Sequence, residues 1–269
     1  MTAHLAVESL TAGYGDHPIL TDLTLDFKTG SITAIVGANA CGKSTFLRAL
    51  SRLLPPQKGH VRLNGTDIHT LKPRLLAQRL GLLPQSPIAP EGISVLDLVS
   101  RGRYPHQGPF ARWNAEDDAP VAEALTLTAT EDLAERSVDE LSGGQRQRVW
   151  IAMALAQRTE VLLLDEPTTF LDINHQIEVL DLLVDLNRSR GTTIVMVLHD
   201  LNLAARYAER LIALKAGKLY AFGPPEEVLT ENMVNGVFGL AARVITDPTS
   251  GKPMMLPLGR HGIAQEAAQ

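Results

Sequence analysis

The chain has 269 residues, enough for one large domain or two small ones. Hydrophobic residues make up 45% and charged residues 20%, the usage of a folded globular protein, which excludes extended disorder. A net charge of −5 disfavours a nucleic-acid binder, and the single cysteine, Cys41, excludes an internal disulfide framework and suits a reducing compartment.

The stretches Leu5–Leu10 and Ile19–Phe27 alternate apolar and polar residues as half-buried strands do. Thr33-Ala-Ile-Val-Gly37 follows as a buried strand running into a Gly-rich turn. Ser44–Leu54 then places Phe46, Leu47, Leu50, Leu53 and Leu54 on one helix face, with Pro55-Pro56 as the stop. From about 86 to 140, prolines punctuate short helical stretches such as Ser94–Arg101 and Val121–Thr126, which reads as a helical insertion between two halves of one core. Helical patterns at Gln145–Ala156, Gln176–Arg190 and Asn202–Glu209 separate two continuous apolar runs, Val161–Leu164 and Thr193–Leu198. Such runs mark parallel strands covered on both faces, so the alternation predicts an α/β core with a mainly parallel sheet. Beyond about 223, strand-like and turn-like pieces including Asp247–Lys252 read as a peripheral cap. No apolar stretch approaches the roughly 18 residues of a membrane span, and the first residues carry no signal-peptide pattern. The expectation is a soluble, cytoplasmic protein.

Three motifs carry chemistry. Gly37-Ala-Asn-Ala-Cys-Gly-Lys-Ser44 fits G-x-x-x-x-G-K-[ST] between a strand and a helix. Small residues let backbone N–H groups close around phosphate oxygens, and the helix N-terminus adds its positive dipole end. Lys43 would reach the β- and γ-phosphates, and the Ser44 hydroxyl would ligate Mg²⁺. Val161-Leu-Leu-Leu-Asp-Glu166 sets two carboxylates at the end of a buried strand, where open α/β sheets hold ligands. Asp165 would hold Mg²⁺, and Glu166 would take a proton from, or orient, the water attacking the γ-phosphate. Leu141-Ser-Gly-Gly-Gln145 directly precedes a helix, with Ser142 and Gln145 spaced as a capping box. Its two glycines are poor helix formers, which capping alone does not explain, so a second anion-binding surface is expected.

Leu141–Gln145 resembles the signature motif of ATP-binding-cassette (ABC) ATPases, and the family pattern continues over nearly the whole chain. The resemblance implies an α/β P-loop NTPase core at 1–85 and 141–222, with an antiparallel β subdomain. It places an inserted helical subdomain at about 86–140 and a cap at about 223–269. It makes Tyr14 the aromatic residue stacking on adenine, and Gly37, Ala38, Asn39, Ala40, Cys41, Gly42, Lys43, Ser44 and Thr45 the loop around ATP. Gln85 would contact Mg²⁺ and the attacking water, and His199 would be the switch histidine near the γ-phosphate. Thr169-Phe-Leu-Asp172 matches a loop that speaks across a dimer, through Asp172. Leu141, Ser142, Gly143, Gly144 and Gln145 would cover the ATP of a second copy, so a homodimer is implied. Integral permease subunits, met at the insertion, and an extracytoplasmic substrate-binding protein are the further implied partners. The implied place is the cytoplasmic face of the membrane, and no nucleic acid is implied.

Arg101-Gly-Arg-Tyr-Pro-His106, followed by Phe110 and Trp113, is similar to the ATPases of ferric siderophore, haem and vitamin B12 importers. So are the extended signature Leu141–Met153, the segment Glu166–Gln176 and the ending Pro257-Leu-Gly-Arg260, with the ferric enterobactin type nearest. Haem, B12 or another metal chelate stay open as cargo, and a soluble ABC ATPase in nucleic-acid or ribosome work is the remote alternative. The Arg101–His106 run is expected to belong to a docking surface. One position departs from the pattern: this branch has Gly where this chain has Ala40, and Gly tolerates φ > 0 whereas Ala does so at a cost.

Overall fold

The alternating N-terminal segments form β1 (Leu5–Tyr14) and β2 (His17–Phe27), an antiparallel pair whose inward residues Leu5, Leu10, Leu20, Leu23 and Phe27 are fully buried. The structure, a computed structural model, describes residues 4–108, 113–169 and 171–259. Phe110, Phe170 and Arg260, singled out above, lie outside the described residues. β3 (Ile32–Gly37) is buried along its whole length and leads into α1 (Lys43–Leu50). The helix ends earlier than the apolar pattern to Leu54 suggested. Arg52 takes a left-handed φ of 65°, and the N–H groups of Leu53 and Leu54 both return to the carbonyl of Arg48. That αL turn closes the helix before the prolines are reached, and it leaves Leu53 66% exposed while Leu54 stays buried.

β4 (Lys58–Leu63) and the short β5 (Thr66–Asp67) complete an antiparallel sheet of order β2-β1-β4-β5. After α2 (Pro73–Ala77) and β6 (Leu80–Leu83) the chain enters the insertion, which holds α3 (Val95–Ser100) and α4 (Ala115–Leu127). α5 (Gly143–Ala156) returns the chain to the core and packs against both. The alternation of strand and helix then runs β7 (Val161–Asp165), α6 (Ile173–Arg190), β8 (Thr193–Val197), α7 (Leu201–Tyr207) and β9 (Arg210–Lys215). β10 (Lys218–Gly223) turns back antiparallel beside β9, giving a six-stranded sheet of order β10-β9-β3-β8-β7-β6, parallel from β9 to β6.

The parallel strands divide their side chains between two cores. Ala34, Leu162, Leu164, Ile194 and Met196 face the helical side, packed with Val95, Leu98, Val149 and Ile151. Ile35, Val161, Leu163, Val195 and Val197 face the antiparallel sheet, packed with Phe27, Phe46 and Leu47. Burial on both faces is why these strands read as unbroken apolar runs rather than alternations. The cap consists of α8 (Pro225–Val228), α9 (Glu231–Phe238) and a hairpin of β11 (Ala242–Thr246) with β12 (Pro253–Pro257), turned at 247–252.

The Arg101–His106 run opens with a 3₁₀ turn over Arg101–Arg103, and Arg103 acts as a fastener. Arg103 is buried, pairs with the buried Asp117 of α4 at 3.1 Å, and donates to the Ala156 carbonyl of α5 at 2.9 Å. The Pro105 carbonyl accepts from Arg74 Nε and Gln78 Nε2, both at 2.8 Å, tying the insertion to α2. Arg103 therefore cannot itself meet a partner, while Tyr104 beside it is 60% exposed. Among the described residues no helix is long and apolar enough to cross a membrane.

Candidate functional site

The loop between β3 and α1 is shaped by two close approaches. A Cβ on Gly37 would lie 2.5 Å from the Leu214 carbonyl oxygen and 2.6 Å from Cys41 Sγ. Gly42 sits at φ +107° as the N-cap of α1, with Leu20 Cδ2 where a Cβ would go, at 2.8 Å. Ala40 occupies the left-handed region at φ 60°, the conformation expected where the family pattern has Gly. Ser94, Asn114, Ser142, Asp172, Asp200 and Thr230 cap α3, α4, α5, α6, α7 and α9 with their side chains. α1 has no side-chain cap and no acidic residue in its first turn. Its leading N–H groups and its positive dipole end are thus left for an anion. The buried Lys43 Nζ donates to the loop carbonyls of Gly37 at 2.9 Å and Ala38 at 3.1 Å. Cys41 is buried beneath the loop; burial pushes its thiol pKa up, with the Lys43 charge opposing, so it remains a protonated thiol.

Opposite the loop, the strand ends supply the polar groups. Asp165 closes β7, and its Oδ1 accepts from Ser44 Oγ at 3.2 Å. Burial raises the Asp165 pKa above the usual carboxylate value; the Ser44 bond opposes this, and the adjacent Glu166 charge adds to it. Glu166 has a left-handed φ of 56°, which turns its carboxylate out of the strand line. A non-glycine residue held there costs on the order of 1–3 kcal/mol, and such strain concentrates at functional sites. Its Oε2 accepts from Gln85 Nε2 at 2.7 Å and Thr169 Oγ1 at 3.1 Å, and its Oε1 meets His199 Nε2 at 2.5 Å. Gln85 follows β6 and His199 follows β8, so the ends of β3, β6, β7 and β8 converge on one crevice, as ligand sites of open α/β sheets do. The crevice is a cavity of about 510 Å³ with Asn39, Ala40, Gly42, Lys43, Ser44 and Thr45 on one wall and Gln85, Glu166 and His199 on the other.

Other candidate residues stand apart from that lining. Tyr14 ends β1, 45% exposed, and its hydroxyl accepts from Arg48 Nη1 of α1 at 2.8 Å. Leu141 is buried, whereas Ser142 and Gly143 are exposed at the start of α5. The expected capping box is present: Gln145 N donates to Ser142 Oγ at 3.3 Å and Ser142 N to Gln145 Oε1 at 3.1 Å. Asp172 caps α6 through His175, and the hydrogen bonds from the His175 backbone and ring hold its carboxyl below the usual range. None of Leu141–Gln145 or Asp172 lines the cavity of its own chain.

Two residues at the site were not singled out from sequence, and a third, Thr169, was named only within the Thr169–Asp172 match. Thr169 shares the Glu166 carboxylate, Arg48 holds Tyr14, and Ile19 of β2 contributes to the cavity wall. Thr169 carried a weak signal, a hydroxyl one turn past a catalytic carboxylate candidate; Ile19 carried none beyond its place in an alternating strand.

A family model described as "ABC transporter" matches residues 20–169, more than half of the chain. The ferric enterobactin transport ATP-binding protein FepC of Escherichia coli is 52% identical over 258 residues, covering 96% of this chain and 95% of that protein. The probable siderophore transport system ATP-binding protein YusV of Bacillus subtilis is 52% identical over 265 residues, covering 98% and 96%. Among solved structures, an inward-facing putative metal-chelate type ABC transporter aligns at a TM-score of 0.83 with 32% identity, over 96% of this chain and 98% of that one. A dimeric bacterial ABC transporter cassette aligns at a TM-score of 0.73 with 30% identity, over 82% and 98%. With its phosphate loop, paired carboxylates and signature box set in this frame, the chain belongs to the ABC transporter family, as one of its ATPase subunits.

Proposed function

We propose that this chain powers the import of iron(III)–siderophore complexes, working as a pair of copies beneath separate permease subunits on the cytoplasmic face of the membrane. The observation that carries the ATPase half is Glu166, gripped by Gln85, Thr169 and His199 and facing the uncapped start of α1 across one cavity. The cargo rests on relatives such as FepC and YusV, whose names concern ferric enterobactin and siderophore transport.

The residues divide the work. The loop from Gly37 to Thr45 wraps the phosphates with backbone N–H groups, and Lys43 exchanges its two carbonyl partners for β- and γ-phosphate oxygens. Tyr14 offers its ring to adenine. Ser44 Oγ and Asp165 Oδ1, 3.2 Å apart, form with the Gln85 amide oxygen a hard oxygen set that fits Mg²⁺. The ion, when bound, neutralises charge developing on the β- and γ-phosphates. Glu166 takes the proton of the water that attacks the γ-phosphorus, the bond to the β-phosphate oxygen breaks, and ADP leaves with inorganic phosphate. His199 orients Glu166 and the terminal phosphate, and Gln85 places the water. Ser142, Gly143 and Gly144 lie outside their own chain's cavity, so they serve the nucleotide of a second copy, whose start of α1 faces them in turn.

Glu166→Gln keeps the shape and removes the base, so ATP binding is expected to persist while turnover drops by about 10²-fold or more. Cells relying on that variant should lose uptake of radiolabelled iron–siderophore. Wild-type turnover would reject Glu166 as the base. Normal siderophore uptake in cells lacking the chain, with haem or vitamin B12 uptake lost instead, would reject the cargo.

A further inference from the structure

The C-terminal hairpin has no part in the chemistry described so far, yet it is fastened to the helix that follows His199. Asp200 caps α7, its Oδ1 accepting from Asn202 N at 2.8 Å and Leu203 N at 2.9 Å. Asn202, in that first turn, then clasps β12: its Nδ2 donates to the Met255 carbonyl at 3.1 Å, and Met255 N donates to its Oδ1 at 2.7 Å. Met255 can offer both groups because it stands opposite Val244 in a pair whose backbone N–H and C=O groups point out of the hairpin. The same rung is held from the other side, where Val244 N donates to Glu231 Oε1 of α9 at 3.3 Å. Lys252 pairs with Glu226 of α8 at 2.8 Å, and Met255 packs against the helical-side core. The turn is stiffened by Asp247, whose carboxylate accepts from Ser250 Oγ at 2.5 Å and Thr249 N at 2.9 Å.

We infer that the hairpin braces the His199 loop, with Asn202 as a positioning residue that fixes the start of α7 and thereby the approach of His199 Nε2 to Glu166. An amide gripping both backbone groups of one residue fixes distance and rotation together, as a rung of sheet does. The hairpin itself is anchored on α8 and α9, so its hold on α7 is referred to the rest of the cap. This inference rests on the proposed roles of His199 and Glu166 in hydrolysis.

The test is steady-state ATP hydrolysis by the full-length chain, with Asn202→Ala, His199→Ala and the double variant compared at several ATP concentrations. Losing the clasp should lower kcat about fivefold, the scale of one or two lost hydrogen bonds, and leave KM within about twofold. In the double variant Asn202→Ala should add nothing to the loss caused by His199→Ala, because the brace acts through that ring. Asn202→Asp keeps the acceptor for the Met255 N–H and should recover part of kcat; it also carries the comparison if Asn202→Ala does not fold. A lowered Tm with unchanged kcat overturns the brace, and so does a fully multiplicative loss in the double variant. Wild-type kcat in His199→Ala alone would instead refute the reading of His199, a separate failure.

Discussion

Ala40 keeps the phosphate-loop backbone in a left-handed conformation that its own methyl group opposes. Replacing it by Gly removes that clash, and the added freedom of the unfolded chain offsets only part of the gain. Ala40→Gly should therefore raise stability by up to about 1 kcal/mol with nucleotide binding intact. Ala40→Val should weaken both, because a β-branched side chain suits this region least. Thermal denaturation with and without ATP would check this, and a less stable glycine variant would sink it. At this scale the sequence was most legible where spacing alone defines chemistry: Lys43, Ser44, Asp165 and Glu166 lie in short local motifs whose roles follow from residue type. Arg48 escaped notice, and Thr169 was read only as part of a loop facing a dimer, because their contacts exist only through partners that folding brings to them, the Tyr14 hydroxyl and the Glu166 carboxylate.

Among the elements, the insertion is where pattern and structure part. Its helices were visible, but the Arg101–His106 turn looked like surface, since charged residues are seldom fully buried. Asp117 alters that: two buried charges satisfy one another, the Ala156 carbonyl accepts from Arg103, and the Gln107 amide donates to Asp117. Removing one partner strands the other, so Asp117→Ala should cost about 3–5 kcal/mol in denaturant unfolding. A loss below about 1 kcal/mol would mean the pair is dispensable to the fold. The end of α1 teaches the same lesson, for periodicity carried the helix to Leu54, whereas a left-handed Arg52 closed it first. Backbone turns of that kind leave little trace in an apolar pattern. The parallel strands β3, β7 and β8, by contrast, could be placed almost to the residue, because burial on both faces writes an unbroken apolar run; β6 and β9 were not read as strands.

Across the whole molecule, the cavity and the signature box occupy separate places, so under the proposed pairing one chain would present half of each composite site. Two copies related by a two-fold axis would complete both halves at once. ATP turnover per chain should therefore rise with chain concentration, and Glu166→Gln with ATP should sediment as a dimer. A rate independent of dilution, together with a monomeric ATP-bound variant, would contradict the paired arrangement. The sequence raised the expectation of two phosphate-facing surfaces; that the two motifs do not meet within one chain needed the tertiary arrangement. The strand order has a consequence for biogenesis. In the proposed site the nucleotide would lie between Gly37 at the end of β3 and His199 after β8, on strands that become neighbours only once β8 has slipped between β3 and β7. A chain still emerging from the ribosome, or cut short before β8, has the phosphate loop but lacks His199 and the strand that joins β3 to β7, so its opposite wall is incomplete. Cellular ATP thus stabilises finished molecules over incomplete ones, and its binding energy rewards the last and least local step of folding.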